Sequence, residues 1–170
     1  MNPKALQKIK YGMYIVSSAR GGKFNGQIAN TVFQVTAEPC TLAASISKKN
    51  FTHEFIAESK AFAVSVLSRE ATMPFIGQFG FKSGRATDKL ANVKYKTGVT
   101  GAPIVLDFSV AYFDAEVVAS FDCGTHTLFL GKVVDAEIVA DAQAMSYSYY
   151  HQIKGGFTPE NAPTYVRPGK

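Results

Sequence analysis

The run Ser45-Ile46-Ser47-Lys48-Lys49-Asn50-Phe51-Thr52-His53 concentrates hydroxyls, an amide and two ammonium groups in one short stretch. It falls between a predicted strand end and a predicted helix start. Backbone N–H groups at a helix start lack intrahelical partners and sit at the positive end of the helix dipole, which suits an anion. Ser47, Asn50 and Thr52 then supply donors for a phosphate, and Lys48 or Lys49 the countercharge. The plainer reading is a polar loop with an ordinary cap. In it Thr52 caps a helix beginning near His53, and Glu54 stands in the first turn.

Three further segments carry polar groups where chemistry needs them. In Asn25-Gly26-Gln27-Ile28-Ala29-Asn30-Thr31-Val32-Phe33-Gln34, strand alternation sends Asn30, Val32 and Gln34 to one face and Thr31 and Phe33 to the other. A flat heteroaromatic ring needs an apolar surface for its face and donors and acceptors for its edge, and such a strand supplies both. Backbone N–H groups beside such a ring would also stabilise developing negative charge. In Phe79-Gly80-Phe81-Lys82-Ser83-Gly84-Arg85 the glycines permit close backbone approach, and Lys82, Ser83 and Arg85 can meet phosphate or sugar-alcohol oxygens. His126, in the turn between two late strands, has the side chain best suited to donate a proton near neutral pH. His53 and His151 are farther from any constellation. No P-loop, G-x-G-x-x-G, Ser-His-Asp or Cys-His-Asn arrangement is present.

The elements that must position these groups are mostly strands. The pattern predicts a short amphipathic N-terminal helix on Leu6, Ile9 and Met13 stopped at Gly12, a strand over 13–18, and a turn at Arg20-Gly21-Gly22-Lys23. Asn25-Gly26 reads as a second turn, followed by one strand from Ile28 to Thr36. Strands are predicted over 41–47 and 62–67, with a helix opening at Thr72-Met73-Pro74 and closing at Gly80. A polar excursion with one helical turn near Asp88-Lys89-Leu90 precedes two long strands, Ile104 to Phe121 and Thr127 to Val139. Many strands at short spacing with few helices argue for a closed or nearly closed barrel and against a doubly wound parallel sheet. The proline- and glycine-containing tail over 155–170 reads as an extended arm or linker stub, placed to lie across a neighbouring subunit.

Composition narrows the class. The 170 residues are 46% hydrophobic and 18% charged, in the range of one ordinary globular domain. No apolar run approaches the roughly 18 residues of a membrane span, and the first residues lack a signal peptide's apolar centre, so a cytoplasmic protein is expected. Cys40 and Cys123 belong to no C-x-x-C, so no metal site is indicated; they are expected to be reduced thiols packed as small apolar residues. The net charge of +5 is scattered over small clusters. That distribution suits a phosphorylated small molecule better than nucleic acid.

The segments taken in order resemble the flavin reductase-like family. The match runs through Tyr11-Gly12-Met13-Tyr14, Asn25 to Val35, Ser45-Ile46-Ser47-Lys48, Thr52-His53, Phe79-Gly80, Asp88-Lys89, Gly101 to Val105 and Gly124 to Val133. The resemblance implies a mainly β, Greek-key, FMN-binding split β-barrel with a few short helices over 1–154, usually a homodimer with both subunits lining each flavin. It implies hydride transfer from NADH or NADPH to FMN. Ala29, Asn30, Thr31, Val32 and Phe33 are then expected to flank the isoalloxazine ring. Ser47, Lys48, Asn50 and Thr52 are expected at the phosphate, with Phe81, Lys82 and Ser83 nearby. His126 stands where the family's Gly-Asp-His segment approaches the nicotinamide, with Thr125 here in place of the Asp. The segment Tyr149 to Gly156 and Ala162-Pro163-Thr164-Tyr165 are similar to the flavin domain of high-molecular-weight rubredoxins. This sequence lacks their two C-x-x-C pairs, so the acceptor is expected to be a separate rubredoxin-like, flavodiiron or monooxygenase protein. The alternatives are a flavoredoxin-like electron carrier with little NAD(P)H activity and a non-enzymatic FMN-binding module.

Overall fold

The first hairpin forms as the glycines dictate. Strands β1 (Tyr14–Arg20) and β2 (Lys23–Ala29) pair antiparallel down to Arg20 opposite Lys23. The two-residue turn has Gly21 at φ 54 and Gly22 at φ 74. Positive φ at both central positions is the type I′ geometry, whose twist matches that of the flanking strands. The computed structural model describes residues 2–166.

Asn25-Gly26 is not a turn but the middle of β2. A Cβ at Gly26 would meet Phe79 and Ser17 at 3.3 Å, so this glycine serves close packing of a neighbouring helix on the strand. The single strand expected from Ile28 to Thr36 breaks at Asn30-Thr31, giving β2 and then β3 (Val32–Thr36). The other strands are β4 (Thr41–Ser47), β5 (Ala61–Leu67), β6 (Tyr95–Thr97), β7 (Pro103–Val105), β8 (Ser109–Asp122) and β9 (His126–Ile138). One sheet has the order β2-β1-β5-β8-β9-β4-β3, and β6 and β7 form a separate pair. The break at Asn30-Thr31 makes topological sense. Strands β2 and β3 are neighbours in sequence but lie on opposite edges of the sheet, so the sheet must curl until its edges meet at a seam. This is the expected mainly β, Greek-key split barrel.

Helix α1 (Phe51–Ser59) packs on β1 and β2, and α2 (Met73–Gly80) packs on β2. Thr72 caps α2 as expected, accepting from the Phe75 N–H. Residues of β1 bury both ways: Val16 points into the barrel with Ile56, Phe62 and Phe129. Met13 and Ile15 point outward under Ile76, Phe79 and Tyr150. With cores on both faces, the start of β1 is apolar on both sides, and Ser17 and Ser18 follow as buried polar residues.

Several expectations are corrected. The N-terminal segment is only a 3-10 turn (Pro3–Lys8), with Leu6 and Ile9 about half exposed. So short a helix cannot stabilise itself without an apolar face to cover. Asp88 forms no helical turn; its carboxylate accepts from the Leu90 N–H at 2.9 Å. The strand expected from Ile104 to Phe121 is split by a turn in which Phe108 has φ 56. Cys40 is half-buried and Cys123 exposed, both free, so neither is a core residue. A third helix, α3 (Tyr147–Gln152), was not foreseen; the Ser146 hydroxyl caps it by accepting from the Tyr149 N–H. In the described part of the tail, residues 155–166, Thr164 contacts Asn30 and Phe157 contacts Phe81; residues 167–170 of the expected arm lie outside the described residues.

Candidate functional site

The seam between the sheet edges opens into a cleft of about 270 Å³. Alternation builds its floor: Asn25, Gln27 and Ala29 project from β2, and Ser45 and Ser47 from β4. The first turn of α1, with Asn50, Phe51 and Thr52, closes one end. The end of α2 and the loop after it supply Phe79, Phe81, Lys82 and Ser83 as a wall. Residues 157–163 cross the mouth.

Most of the expected residues therefore meet. Ala29, Asn30, Ser47 and Asn50 line this cleft, as do Thr52, Phe81, Lys82 and Ser83. Thr52 does not cap α1; it lies inside the first turn, buried, and its hydroxyl accepts from the Asn25 amide at 2.9 Å. Asn50 occupies the cap position with an extended backbone, and its side chain makes no capping bond. The N–H groups at the start of α1 are thus free of a side-chain cap where the cleft ends.

Other expected residues lie elsewhere. The Lys48 ammonium pairs with Asp122 at 2.6 Å and does not line the cleft, whereas Lys49 does. Both lysines lie in the turn after β4, and there only Lys49 faces inward. Val32 packs in the barrel core, and Phe33 is exposed on β3. Thr31 donates to the Asn30 carboxamide at 3.0 Å, and its carbonyl accepts from the Ser45 N–H. Arg85 is held by Glu54 and lies over the Phe51 ring at 4.3 Å, so it is committed to the flank of α1. The guanidinium of Arg85, with that of Arg20, holds the Glu54 carboxyl below the usual carboxylate range.

His126 opens β9, opposite Ser47 of β4, and is not in the turn. Its Nε2 lies 3.1 Å from the Asn161 carbonyl and its Nδ1 2.8 Å from the Thr125 hydroxyl. A carbonyl only accepts, so Nε2 carries the proton and Nδ1 accepts from Thr125. The Asn161 carbonyl thereby fixes the tautomer, and Thr125, standing in place of the family's Asp, donates to the other ring nitrogen. His53 is also engaged: its Nε2 lies 2.8 Å from the Thr127 hydroxyl, and burial and then Lys48 lower its pKa.

The sequence reading missed two buried groups on the floor. Lys89 is 5% exposed, and its ammonium donates to the carbonyls of Gly26 and Phe79 at 3.0 and 2.9 Å. It therefore ties β2 to the last turn of α2, where a helix has unpaired carbonyls. Burial pushes its pKa down to about 8. Gln27 Oε1 is buried without a hydrogen-bond partner. Alternation from Asn25 through Gln27 to Ala29 was the signal for Gln27, had β2 not been ended at a supposed turn. Lys89 gave no signal beyond its place in Asp88-Lys89. Among the described residues no group of His, Cys, Asp and Glu could hold a metal, and no helix is long and apolar enough to cross a membrane.

Comparison with known proteins agrees with this geometry. Residues 6–156 match the family described as flavin reductase like domain. A high molecular weight rubredoxin of Moorella thermoacetica is 49% identical over 166 residues, 98% of this chain and 72% of that protein. A ferric-chelate reductase (NAD(P)H) of Archaeoglobus fulgidus is 49% identical over 165 residues, covering 97% of this chain and 98% of that one. The crystal structure of an FMN-binding protein from Thermus thermophilus with bound p-hydroxybenzaldehyde matches with a TM-score of 0.71 at 26% identity, over 78% of this chain and 74% of that one. A curled sheet with its cleft at the seam, and a sequence match running nearly end to end, have one explanation: the chain belongs to the family of flavin reductase-like domains.

Proposed function

We propose that this chain is an enzyme, an NAD(P)H-dependent FMN reductase that passes the electrons on to a separate acceptor. One observation carries the reading. An uncapped helix start beside Ser47, Thr52 and Lys49 faces the same cleft in which Gln27 Oε1 is buried without a partner. A cofactor with a phosphate at one end and a hydrogen-bonding ring edge at the other answers both needs. FMN has that form.

Ser47, Thr52 and Lys49 would hold the phosphate, and Lys82 and Ser83 the polyol chain. Gln27 would accept from an N–H of the ring edge, and Asn30 would contact the same edge. Bound there, FMN would supply the redox chemistry, taking a hydride from NADH or NADPH and releasing electrons to the acceptor. His126 holds its proton on Nε2 toward the Asn161 carbonyl beside the cleft and would donate to the nicotinamide. One relative is a rubredoxin-containing protein, which favours a rubredoxin-like iron protein as acceptor.

A second copy of the chain fits the remaining surface. Phe33, Val35, Val118 and Phe121 are 46–59% exposed on β3 and on the far end of β8. Such apolar exposure on strands marks an interface.

The test is the visible spectrum of the purified protein with and without added FMN, followed by NADH or NADPH under anaerobic conditions. Flavin bands that either nucleotide bleaches are expected. Bands that neither bleaches would refute the reductase, and no bands or shift with FMN would refute the cofactor.

A further inference from the structure

Residues 157–164 cover the mouth of the cleft, and their polar contacts there are made to groups that the proposed reaction itself would use. The Asn161 carbonyl accepts from His126 Nε2 at 3.1 Å, and the Asn161 amide donates to Asn50 Oδ1 at 3.3 Å. The Asn30 amide donates to the Thr164 hydroxyl at 2.7 Å. The Phe157 ring lies on the Phe81 ring with centroids 4.5 Å apart and planes 14° apart. The segment thus presents a planar ring and, a few residues on, an amide carbonyl. Those are the two recognition features of a nicotinamide, a flat ring bearing a carboxamide.

The root of the strap is tied to α3. His151 Nδ1 lies 2.8 Å from the Gly156 carbonyl, and the Tyr147 hydroxyl lies 2.7 Å from that of Thr158. Gly155, at φ 67, has the backbone freedom of a hinge just before it. The Phe157 side chain is 59% exposed, so its ring is held by the Phe81 face and not by a core. With the strap in place, Phe157, Pro159, Asn161, Ala162 and Pro163 line the mouth of the cleft and narrow its access.

We propose that residues 157–164 are an intramolecular competitor for the nicotinamide co-substrate, seated through Phe157 and Asn161 in its place and displaced when it binds. The inference rests on the reading of the cleft as an FMN and NAD(P)H site. A site occupied by its own chain binds an external ligand with an apparent affinity lowered by the fraction that is open. Loosening the strap raises that fraction.

The experiment compares the full chain with its Phe157→Ala/Thr164→Val variant, both loaded with FMN. The stack and the hydrogen bond to Asn30 are removed, while His126, Asn30 and Asn50 stay intact. The Kd for oxidised NAD(P) and the KM for NAD(P)H should fall about tenfold, the combined worth of one stack and one hydrogen bond. The FMN Kd should be unchanged. In the unmodified chain, oxidised NAD(P) should also speed tryptic cleavage after Lys154, because displacement bares the hinge. An unchanged or raised nicotinamide Kd would overturn the proposal, as would an equal loss of FMN affinity, since the strap would then be a wall of the flavin site. Slower cleavage after Lys154 with the nucleotide would also overturn it. Failure of the unmodified protein to bind FMN would instead defeat the reading of the cleft, and it would be seen before any variant is made.

Discussion

Lys89 gives a pH dependence that can be worked from its surroundings. Its ammonium is buried, held by two carbonyls and no carboxylate, and its pKa is lowered from 10.5 to about 8. In the unfolded chain the group keeps its ordinary value, so between about pH 8 and 10.5 the unfolded state binds more protons than the folded one. Stability from this group therefore rises with pH across that window and is flat below it. Two and a half pKa units correspond to roughly 3 kcal/mol. Lys89→Met keeps the apolar stem and removes the charge. Near pH 7 the variant gains by losing a desolvated charge and loses two donors to buried carbonyls, about 1–3 kcal/mol each. The two proteins should differ little there. Near pH 10.5 the unmodified protein, now holding a neutral amine, should be the more stable by a further roughly 3 kcal/mol. Urea unfolding of both proteins in half-unit steps from about pH 7 to 10.5 reads this difference and cancels every other titrating group. A difference that stays flat, or shrinks with rising pH, would refute the assignment of Lys89 as a buried, unpaired cation.

Three other outcomes test separate parts of the structure. Lys49→Glu should weaken FMN at least tenfold, the worth of a lost charge-assisted contact, and leave riboflavin nearly untouched, whereas Lys48→Glu should change neither; calorimetric titration decides, and equal losses for both ligands would remove the phosphate from α1. Gly131→Ala places a Cβ 2.6 Å from the buried Phe62 ring, so it should cost about 1–3 kcal/mol by overpacking. A thermal midpoint within a degree of the unmodified protein's would contradict that contact. Phe33→Asp with Val118→Asp should convert a dimer to a monomer in sedimentation velocity, and a species unchanged in mass would rule out that face as the interface.

The elements were legible where local chemistry decides them. The Arg20-Gly21-Gly22-Lys23 turn, the strand over 41–47 and the Thr72-capped helix follow from glycine φ, β-branched alternation and a hydroxyl cap. Eight of the expected cofactor residues share one cleft, because residue type and order already specify donors near a helix start. The misreadings have one cause, which is that a partner distant in sequence overrode a local signal. Gly26 looked like a turn and is a contact for Phe79; Lys48 looked like the phosphate's cation and is claimed by Asp122. Arg85 was likewise taken by Glu54.

By itself, then, the sequence determined the mainly β class, the family and the polar inventory of the site, since these depend on residue type and short spacing. Only the tertiary structure decided which of two adjacent lysines faces the cleft, that Gln27 and Lys89 are buried on its floor, and that residues 157–164 fold back over its mouth. Those facts depend on where a curled sheet brings its two edges together, and no local pattern encodes the closure of that seam.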